Sequence, residues 1–415
     1  MSTTFNLGDG EGGPAAAPYR LLVVGVGGGG CRAARHVVTL LDHGPTVVAV
    51  DSDDQALRET GLPVQLSIGR ALTRGFGAGG DAAIGKIAAE DEENKLRTLV
   101  EGMDLVFVIT TLGGGTGSGA APVVARIAHE QGALTICFAS TPFDFEANRD
   151  KDAAQEALRQ LRMHSDATIC MPNQRLLEIV PDQATLKSTF DASDHMISMA
   201  VIGIWKLLTE VGLIRLNFSD LKNLVENSGG ACSFGYAEGA GPDKAKQATQ
   251  ALLASPLLDH GNVIAQADAF LLNILGGPDL ALLDVQQVMS NIQKVARRDA
   301  KVFMGATVDN DWQGRLMVTV LAAEHWVAAK PLSGQPVSVP PAAAPTAEDA
   351  TVPPAAPEKK DPATAATTEL GQKELVFEKR DRGRFDKVEP TLYGGEDLDI
   401  PTFLRRNVKI LSDRG

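Results

Sequence analysis

The sequence predicts an α/β protein of two unequal domains joined by one long helix, followed by a proline-rich linker and a terminal peptide. Three observations predict it: continuous apolar runs alternating with helical ones, two strand-to-helix turns built almost wholly of glycine, and an abrupt change of composition at Lys330. The 415 residues exceed what one hydrophobic core usually organises. Glycine reaches 42 residues while aromatics make up only 5% of the chain, which favours α/β layers with backbone-rich loops. The net charge of −13 argues against a protein that works on a nucleic-acid backbone, which needs clustered Lys and Arg. Cys31, Cys137, Cys170 and Cys232 form no CxxC pair, so neither zinc nor a disulfide framework is indicated. No apolar run nears the ~18–20 residues that cross a bilayer, and the N-terminus has no signal-peptide pattern. A cytoplasmic protein without direct membrane insertion is expected.

Residues 1–18, rich in Gly, Ala and Pro without periodicity, read as a disordered lead-in. Strands are expected at RLLVVGV (20–26), PTVVAV (45–50), MDLVFVIT (103–110), ALTICFA (133–139) and ATICMP (167–172), because runs apolar at every position suit strands covered on both faces of a parallel sheet. These make a first domain over 19–187. Apolar spacing at Met196, Met199, Ala200, Ile204 and Leu208 predicts a long helix from roughly 188 to 211, the core of a bridge over 188–213. Strands at AFLLNILG (269–276), KVFMGATV (301–308) and RLMVTVLAA (315–323), with helices near 242–254 and 283–297, describe a smaller α/β domain over 214–326. Residues 331–370 hold nine of the 22 prolines, so 327–395 reads as a flexible linker. The chain closes on 396–415, with an apolar island, LDIPTFLRRNVKIL (398–411), that reads as a binding peptide on a tether or, on composition alone, as an idle terminal helix.

Two motifs carry chemistry. In VVGVGGGGCRAARHV (23–37) a strand runs through consecutive glycines into a helix, which uncovers backbone N–H groups and adds a helix dipole for an anion. Alone, this turn fits a phosphate loop, a dinucleotide-binding turn or a plain tight connection, while the absence of GxxxxGK[ST] disfavours an ordinary P-loop. The second, LGGGTGSGAAPVVARIA (112–128), repeats the arrangement, with Gly114, Gly115 and Gly117 exposing backbone and Thr116 and Ser118 as hydroxyl donors. Two such loops in one sheet imply a polyphosphate.

At GGGTGSG the chain resembles the bacterial tubulin-like division protein family FtsZ, and further motifs of that family follow in order: TRGFGAGGDAAIG (73–85), STPFDFE (140–146), PNQRLL (172–177), GLIRLNFSDLKNL (212–224), SPLLD (255–259) and the LDIPTFLRR tail. The resemblance implies a GTP-binding first domain, a GTPase-activating second domain, GTP with an expected magnesium ion, and filaments in which one subunit completes the active site of the next at the division site. It implies a phosphate cradle of Gly27, Gly28, Gly29, Gly30, Gly115, Thr116 and Gly117 closed by Ala78, Gly79 and Gly80. It further implies a ribose contact at Glu146 and guanine contacts at Asn173, Phe190 and Asp194; without the resemblance Phe190 reads as a plain core aromatic. The tail anchors Leu398, Ile400, Pro401, Phe403 and Leu404 are implied to meet a membrane-associated adaptor such as FtsA.

The departures from the family are specific. Its catalytic loop N-x-D-F-x-D aligns with Arg215, Asn217 and Asp220, so only the last acid is kept. Arg215 either slows hydrolysis or stabilises transition-state charge as arginine fingers do. Cys31 and Arg32 stand where the family continues with Gly and Asn, and Asp51, Ser52 and Asp53 where it has NTD. Cys31 reads as a small residue beside the phosphates, with a redox role as the alternative. The added cation Arg32 is expected to compensate the added anion Asp51. Asp51 and Asp53 either help hold magnesium, or Asp51 merely caps the helix DDQALRET. The family's arginine after the ribose glutamate aligns with Asp150, leaving Arg149 one position off. A filament that binds GTP but turns it over slowly is the competing function; an NAD-dependent oxidoreductase rests on one glycine loop and lacks a GxGxxG context.

Overall fold

A strand that must be covered on both faces has to be apolar on both, and this requirement organises the first half of the molecule. The computed structural model describes residues 19–41, 44–181, 183–210, 212–326 and the short stretches 392–393 and 396–397. The first half runs β1 Leu21–Val26, α1 Gly27–Leu40, β2 Thr46–Asp51, α2 Asp54–Thr60, β3 Val64–Ser67, α3 Arg70–Thr73, α4 Ala82–Asp91, α5 Glu93–Val100, β4 Leu105–Thr111, α6 Gly115–Glu130, β5 Leu134–Thr141, α7 Asn148–His164 and β6 Ala167–Pro172. Its six strands are all parallel, in the order β3-β2-β1-β4-β5-β6. Every residue of β1 is buried.

The long helix α8 spans Leu186–Thr209. It starts ahead of the apolar periodicity because Thr185 caps it, accepting from the Ser188 N–H at 3.1 Å. It ends where Glu210 turns extended. Then follow β7 Gly212–Ile214, α9 Phe218–Glu226, β8 Gly230–Ala240, α10 Lys244–Leu253, α11 Asn262–Gln266, β9 Ala269–Gly276, α12 Leu282–Val295, β10 Lys301–Val308 and β11 Arg315–Ala323. The second half does not form a sheet of its own. β8 lies parallel to β6, with Ala167 opposite Gly230 and Ile169 opposite Cys232, so one sheet of 11 strands continues as β8-β11-β9-β10-β7. The sequence GACSFGYAEGA has no apolar run, which is why β8 escapes a reading based on such runs.

One core joins the halves. Ile197, Ala200, Val201 and Ile204 of α8 pack in a single cluster with Phe107 and Phe138 from the first half and Leu271 and Met317 from the second. The opposite sheet faces are covered separately, by α6 with its neighbours and by α10 with α12. In a separate unit, β12 Leu392–Tyr393 pairs with β13 Glu396–Asp397. Otherwise the expected lead-in 1–18, the linker and the terminal peptide lie outside the described residues.

Because Ile204 is buried between the halves, Ile204→Ala is expected to cost ~2–5 kcal/mol. Urea unfolding followed by far-UV dichroism and tryptophan fluorescence should show one transition moving to lower urea by both probes. Two separated transitions would mean that the halves unfold independently.

Candidate functional site

β1 and β4 are neighbours in register, Val26 opposite Thr110, so the glycine turns that follow them emerge side by side. α1 begins at Gly27 and α6 at Gly115, and neither has an acidic residue in its first turn. Two helix N-termini therefore face one cavity of about 320 Å³, lined by Gly27–Gly29, Gly114–Gly117, Ala78–Gly80, Asp51 and Asp53. Gly27 has φ +75°, and a Cβ there would stand 2.8 Å from the Gly117 nitrogen. A Cβ on Gly115 would stand 2.8 Å from both the Ala78 Cβ and the Asp81 nitrogen, so the third loop packs directly on the second. Side chains at these positions would push the loops apart. The result is a concave surface of backbone N–H groups and helix dipoles suited to a chain of phosphates.

Two residues expected in this cradle stand elsewhere. Gly30 packs against the Ile109 carbonyl and does not line the cavity. Ser118 lines the groove between α4, α6 and α7. Its hydroxyl accepts from the Gly113 N–H at 2.8 Å, bracing the glycine turn from behind. Thr116 does line the cavity, with its hydroxyl 2.6 Å from that of Ser52. Nothing in the sequence neighbourhood of Ser52 marks it as a partner for Thr116, and only the fold brings the two together.

The helix cap is Asp53, not Asp51. Asp53 Oδ1 accepts from the Gln55 and Ala56 N–H groups at 2.8 and 3.1 Å. Asp51 is 3% exposed and lines the cavity, with Oδ1 accepting from the Ser52 and Asp53 N–H groups. Burial pushes its carboxyl above the ordinary aspartate range, against the hydrogen bonds from Asp53, Thr116 and Ser52. Arg32 does not pair with Asp51: its Nε lies 2.5 Å from Asp194 Oδ2. Cys31 is a packed thiol, donating to the Gly25 carbonyl at 3.2 Å, with burial pushing its pKa far up, away from a reactive thiolate.

A second cavity of about 400 Å³ adjoins the first, sharing Gly29, Gly80, Thr111 and Gly114. It is lined further by Arg32, Glu146, Asp150, Asn173, Phe190 and Ser193. Thr111, the last residue of β4, touches both cavities and is absent from the residues expected from the sequence; its place at the strand end, two residues before the glycine run, is the available signal. Glu146 accepts from the Phe143 N–H at 2.7 Å, which fixes the loop that carries it. The ring of Phe190 meets Phe143 edge-on at 5.9 Å. Arg149, at the start of α7, lines neither cavity but donates to the Gly80 carbonyl at 3.4 Å, tying α7 to the loop that carries Ala78–Gly80. Asn173 accepts from the Ser193 hydroxyl at 3.4 Å. Asp194, beneath the Arg32 guanidinium, is raised by burial and lowered by Arg32.

Arg215, Asn217 and Asp220 are not at this site. They follow α8 at its C-terminal end, whereas Phe190 and Asp194 sit near its start; the helix between Phe190 and Thr209 is about 29 Å long at 1.5 Å per residue. Asn217 accepts from the Asp220 N–H at 2.9 Å and Asp220 Oδ2 from the Asn217 N–H at 3.0 Å, a reciprocal cap on α9. Arg215 is exposed. The tail residues Leu398, Ile400, Pro401, Phe403 and Leu404 lie outside the described residues.

Comparisons with known proteins agree over residues 20–181 and 230–325. The model described as "Tubulin/FtsZ family, GTPase domain" matches residues 20–181, and that described as "FtsZ family, C-terminal domain" matches 230–325. Cell division protein FtsZ 1 of Archaeoglobus fulgidus is 38% identical over 299 residues, covering 72% of this chain and 80% of the relative. Cell division protein FtsZ of Coxiella burnetii is 36% identical over 302 residues, covering 73% and 78%. Among solved structures, an FtsZ dimer of M. jannaschii superposes with a TM-score of 0.68 at 34% identity, covering 73% of this chain and 88% of that one. CetZ2 of Haloferax volcanii, at 22% identity, TM-score 0.59 and coverage of 73% and 92%, shares the fold.

The raised Asp51 carboxyl carries a sign. Folding raises its pKa, so its ionised form costs stability at neutral pH and the cost disappears as pH falls toward the ordinary aspartate value of 3.8. Without nucleotide or magnesium, Asp51→Asn should melt above the wild type at pH 7.5, with the difference narrowing as pH is lowered toward 3.8. A constant difference across that range would assign the effect to packing.

Proposed function

The chain belongs to the FtsZ family of tubulin-like GTPases, and from that premise we propose that its joined cavities bind GTP and that a second copy completes the site for hydrolysis. The observation that carries the reading is the pair of glycine turns on adjacent parallel strands, which open onto one anion cavity continuous with a seat containing Phe190. Backbone N–H groups of Gly27–Gly29 and Gly114–Gly117 hold the phosphates, and Ala78, Gly79 and Gly80 cover the terminal one. Glu146 takes the ribose, and Arg149 holds the covering loop. Guanine stacks on Phe190 and gives its N1–H and 2-amino hydrogens to Asp194, with Asn173 at its edge; adenine has no such donor pair.

Magnesium fits this donor set only through the nucleotide. Among the described residues no group of three or more His, Cys, Asp or Glu is placed to hold a metal. Asp51, a buried carboxylate facing a phosphate cavity, needs a cation between the two anions. Asp51 and Asp53 would hold the ion with water and phosphate oxygens, and the ion would neutralise charge on the phosphates.

The hydrolytic step needs a water in line with the terminal phosphate. Asp220 of the adjoining copy supplies the carboxylate that orients and polarises it, because the loop cannot reach its own cavity from the far end of α8. Exposed apolar side chains support end-to-end contact: Phe76 on the loop covering the phosphates, and Leu213 and Ile214 beside the acidic loop. A slower filament is the second reading, favoured by the cap that ties Asn217 to Asp220. The filament acts in the cytoplasm at the division site, where residues 396–415 meet a membrane-associated adaptor such as FtsA. No nucleic acid takes part, and no described helix is long and apolar enough to cross a membrane.

Phosphate release per molecule should rise with protein concentration above a threshold. Asp220→Asn, which keeps an oxygen for the cap but loses the charge, should lower turnover on the order of 100-fold with GTP affinity unchanged. Turnover independent of concentration would make the site self-contained, and full activity of the Asn variant would reduce Asp220 to a helix cap. Deleting 396–415 should leave assembly with GTP intact and abolish adaptor binding in a pull-down; retained binding would place the anchor elsewhere.

A further inference from the structure

Arg32 makes, by itself, the contacts that recognition of a guanine base requires. Its Nε lies 2.5 Å from Asp194 Oδ2, and a terminal guanidinium nitrogen lies 3.3 Å from Oδ1. Two N–H groups of one planar unit thus engage both oxygens of the carboxylate. The guanidinium carbon stands 5.3 Å from the centroid of the Phe190 ring, within cation–π range. The edge of guanine that carries N1–H and the 2-amino group has the same chemistry: two roughly parallel N–H donors on a planar unit that stacks on an aromatic face. Asp194 is 3% exposed, so it offers no second open edge to a base while Arg32 holds it. The Arg32 side chain is 46% exposed and has open water on one side to swing into.

We propose that Arg32 is an internal competitor of the guanine base, filling the seat formed by Asp194 and Phe190 with an imitation of the base's donor edge and leaving it when nucleotide enters. This rests on the reading of Phe190 and Asp194 as base contacts. The consequence is a lowered apparent affinity, because binding is reduced by the fraction of molecules whose seat is open. A second consequence is protection of the fold: Asp194, a buried carboxylate, is never left unpaired, since either Arg32 or the base satisfies it. Arg32 stands where the family pattern has Asn, which has no positive charge and no reach for this imitation.

The test is calorimetric titration of the full chain with GDP, which is not consumed, at a concentration below assembly. Arg32→Ala should bind GDP more tightly, on the order of ten-fold if the seat is open in about a tenth of molecules. Arg32→Lys, which keeps a charge beside Asp194 but loses the planar two-donor edge, should fall between the two. Without nucleotide Arg32→Ala should melt below the wild type, and GDP should raise its melting temperature by more. Should the alanine variant fail to fold, the lysine variant carries the test, with tighter binding than wild type expected. Equal or weaker GDP binding in the variants, with wild-type binding intact, would overturn the competitor and make Arg32 a bystander or a nucleotide ligand. Absence of GDP binding in wild type and variants alike would remove the nucleotide reading and the competitor together.

Discussion

The molecule depends on one pairing: β1 beside β4, parallel and in register from Leu21 opposite Leu105 to Val26 opposite Thr110. Parallel neighbours end at the same edge of the sheet, so the two glycine turns and the two helices that follow are forced into one place. Each helix N-terminus alone would be a weak anion site. Together, with the loop carrying Ala78–Gly80 packed onto Gly115, they line one cavity whose helix N-termini favour an anion. A shift of one strand by a single residue would move its glycine turn about 3.3 Å along the sheet relative to the other, so the register of this pairing also sets the geometry of the cradle.

The second constraint is the rigidity of α8. Its side chains are packed on both halves of one continuous sheet, so it cannot pivot without breaking the cluster that includes Ile204, Phe107 and Met317. It therefore acts as a spacer, with Phe190 and Asp194 at one end and the Asn217–Asp220 cap at the other. A spacer of that length separates the binding and acidic parts of the site within one chain. In the proposed function, assembly becomes part of the chemistry as a matter of length.

Much of this is legible in the sequence because it is carried by residue type. The buried strands β1, β2, β4, β5 and β6 are unbroken apolar runs, and consecutive glycines between a buried strand and a helix serve little purpose except to let backbone approach backbone or an anion. The features that stay hidden are set by direction and by small residues. β8 lacks an apolar run and joins the halves through pairing with β6, so the sheet of the second half continues that of the first. Ser118 has the chemistry of a hydroxyl donor to phosphate, yet its helical position places it behind the turn it was expected to line. Asp51 and Asp53 alternate along one short segment, and only the φ and ψ angles of Asp53 decide which of them caps α2. Arg32 pairs with Asp194 and not with the Asp51 that charge balance suggests, because charge balance in a sequence has no coordinates.

The two buried carboxylates of the site show how the same penalty is met in two ways. Asp194 and Asp51 are both 3% exposed, and burial raises both. Asp194 is offset by a full cation, Arg32, at ion-pair distance. Asp51 has backbone N–H groups and the Thr116 hydroxyl, which solvate a charge partially but do not neutralise it. A carboxylate so placed beside a phosphate cradle opposes the anion that the cradle is built to hold. The opposition ends when a cation joins the two anions, which in the proposed function is the magnesium that accompanies the nucleotide. On that account the base seat is guarded by a charge the protein supplies, while the phosphate seat relies on one the nucleotide brings.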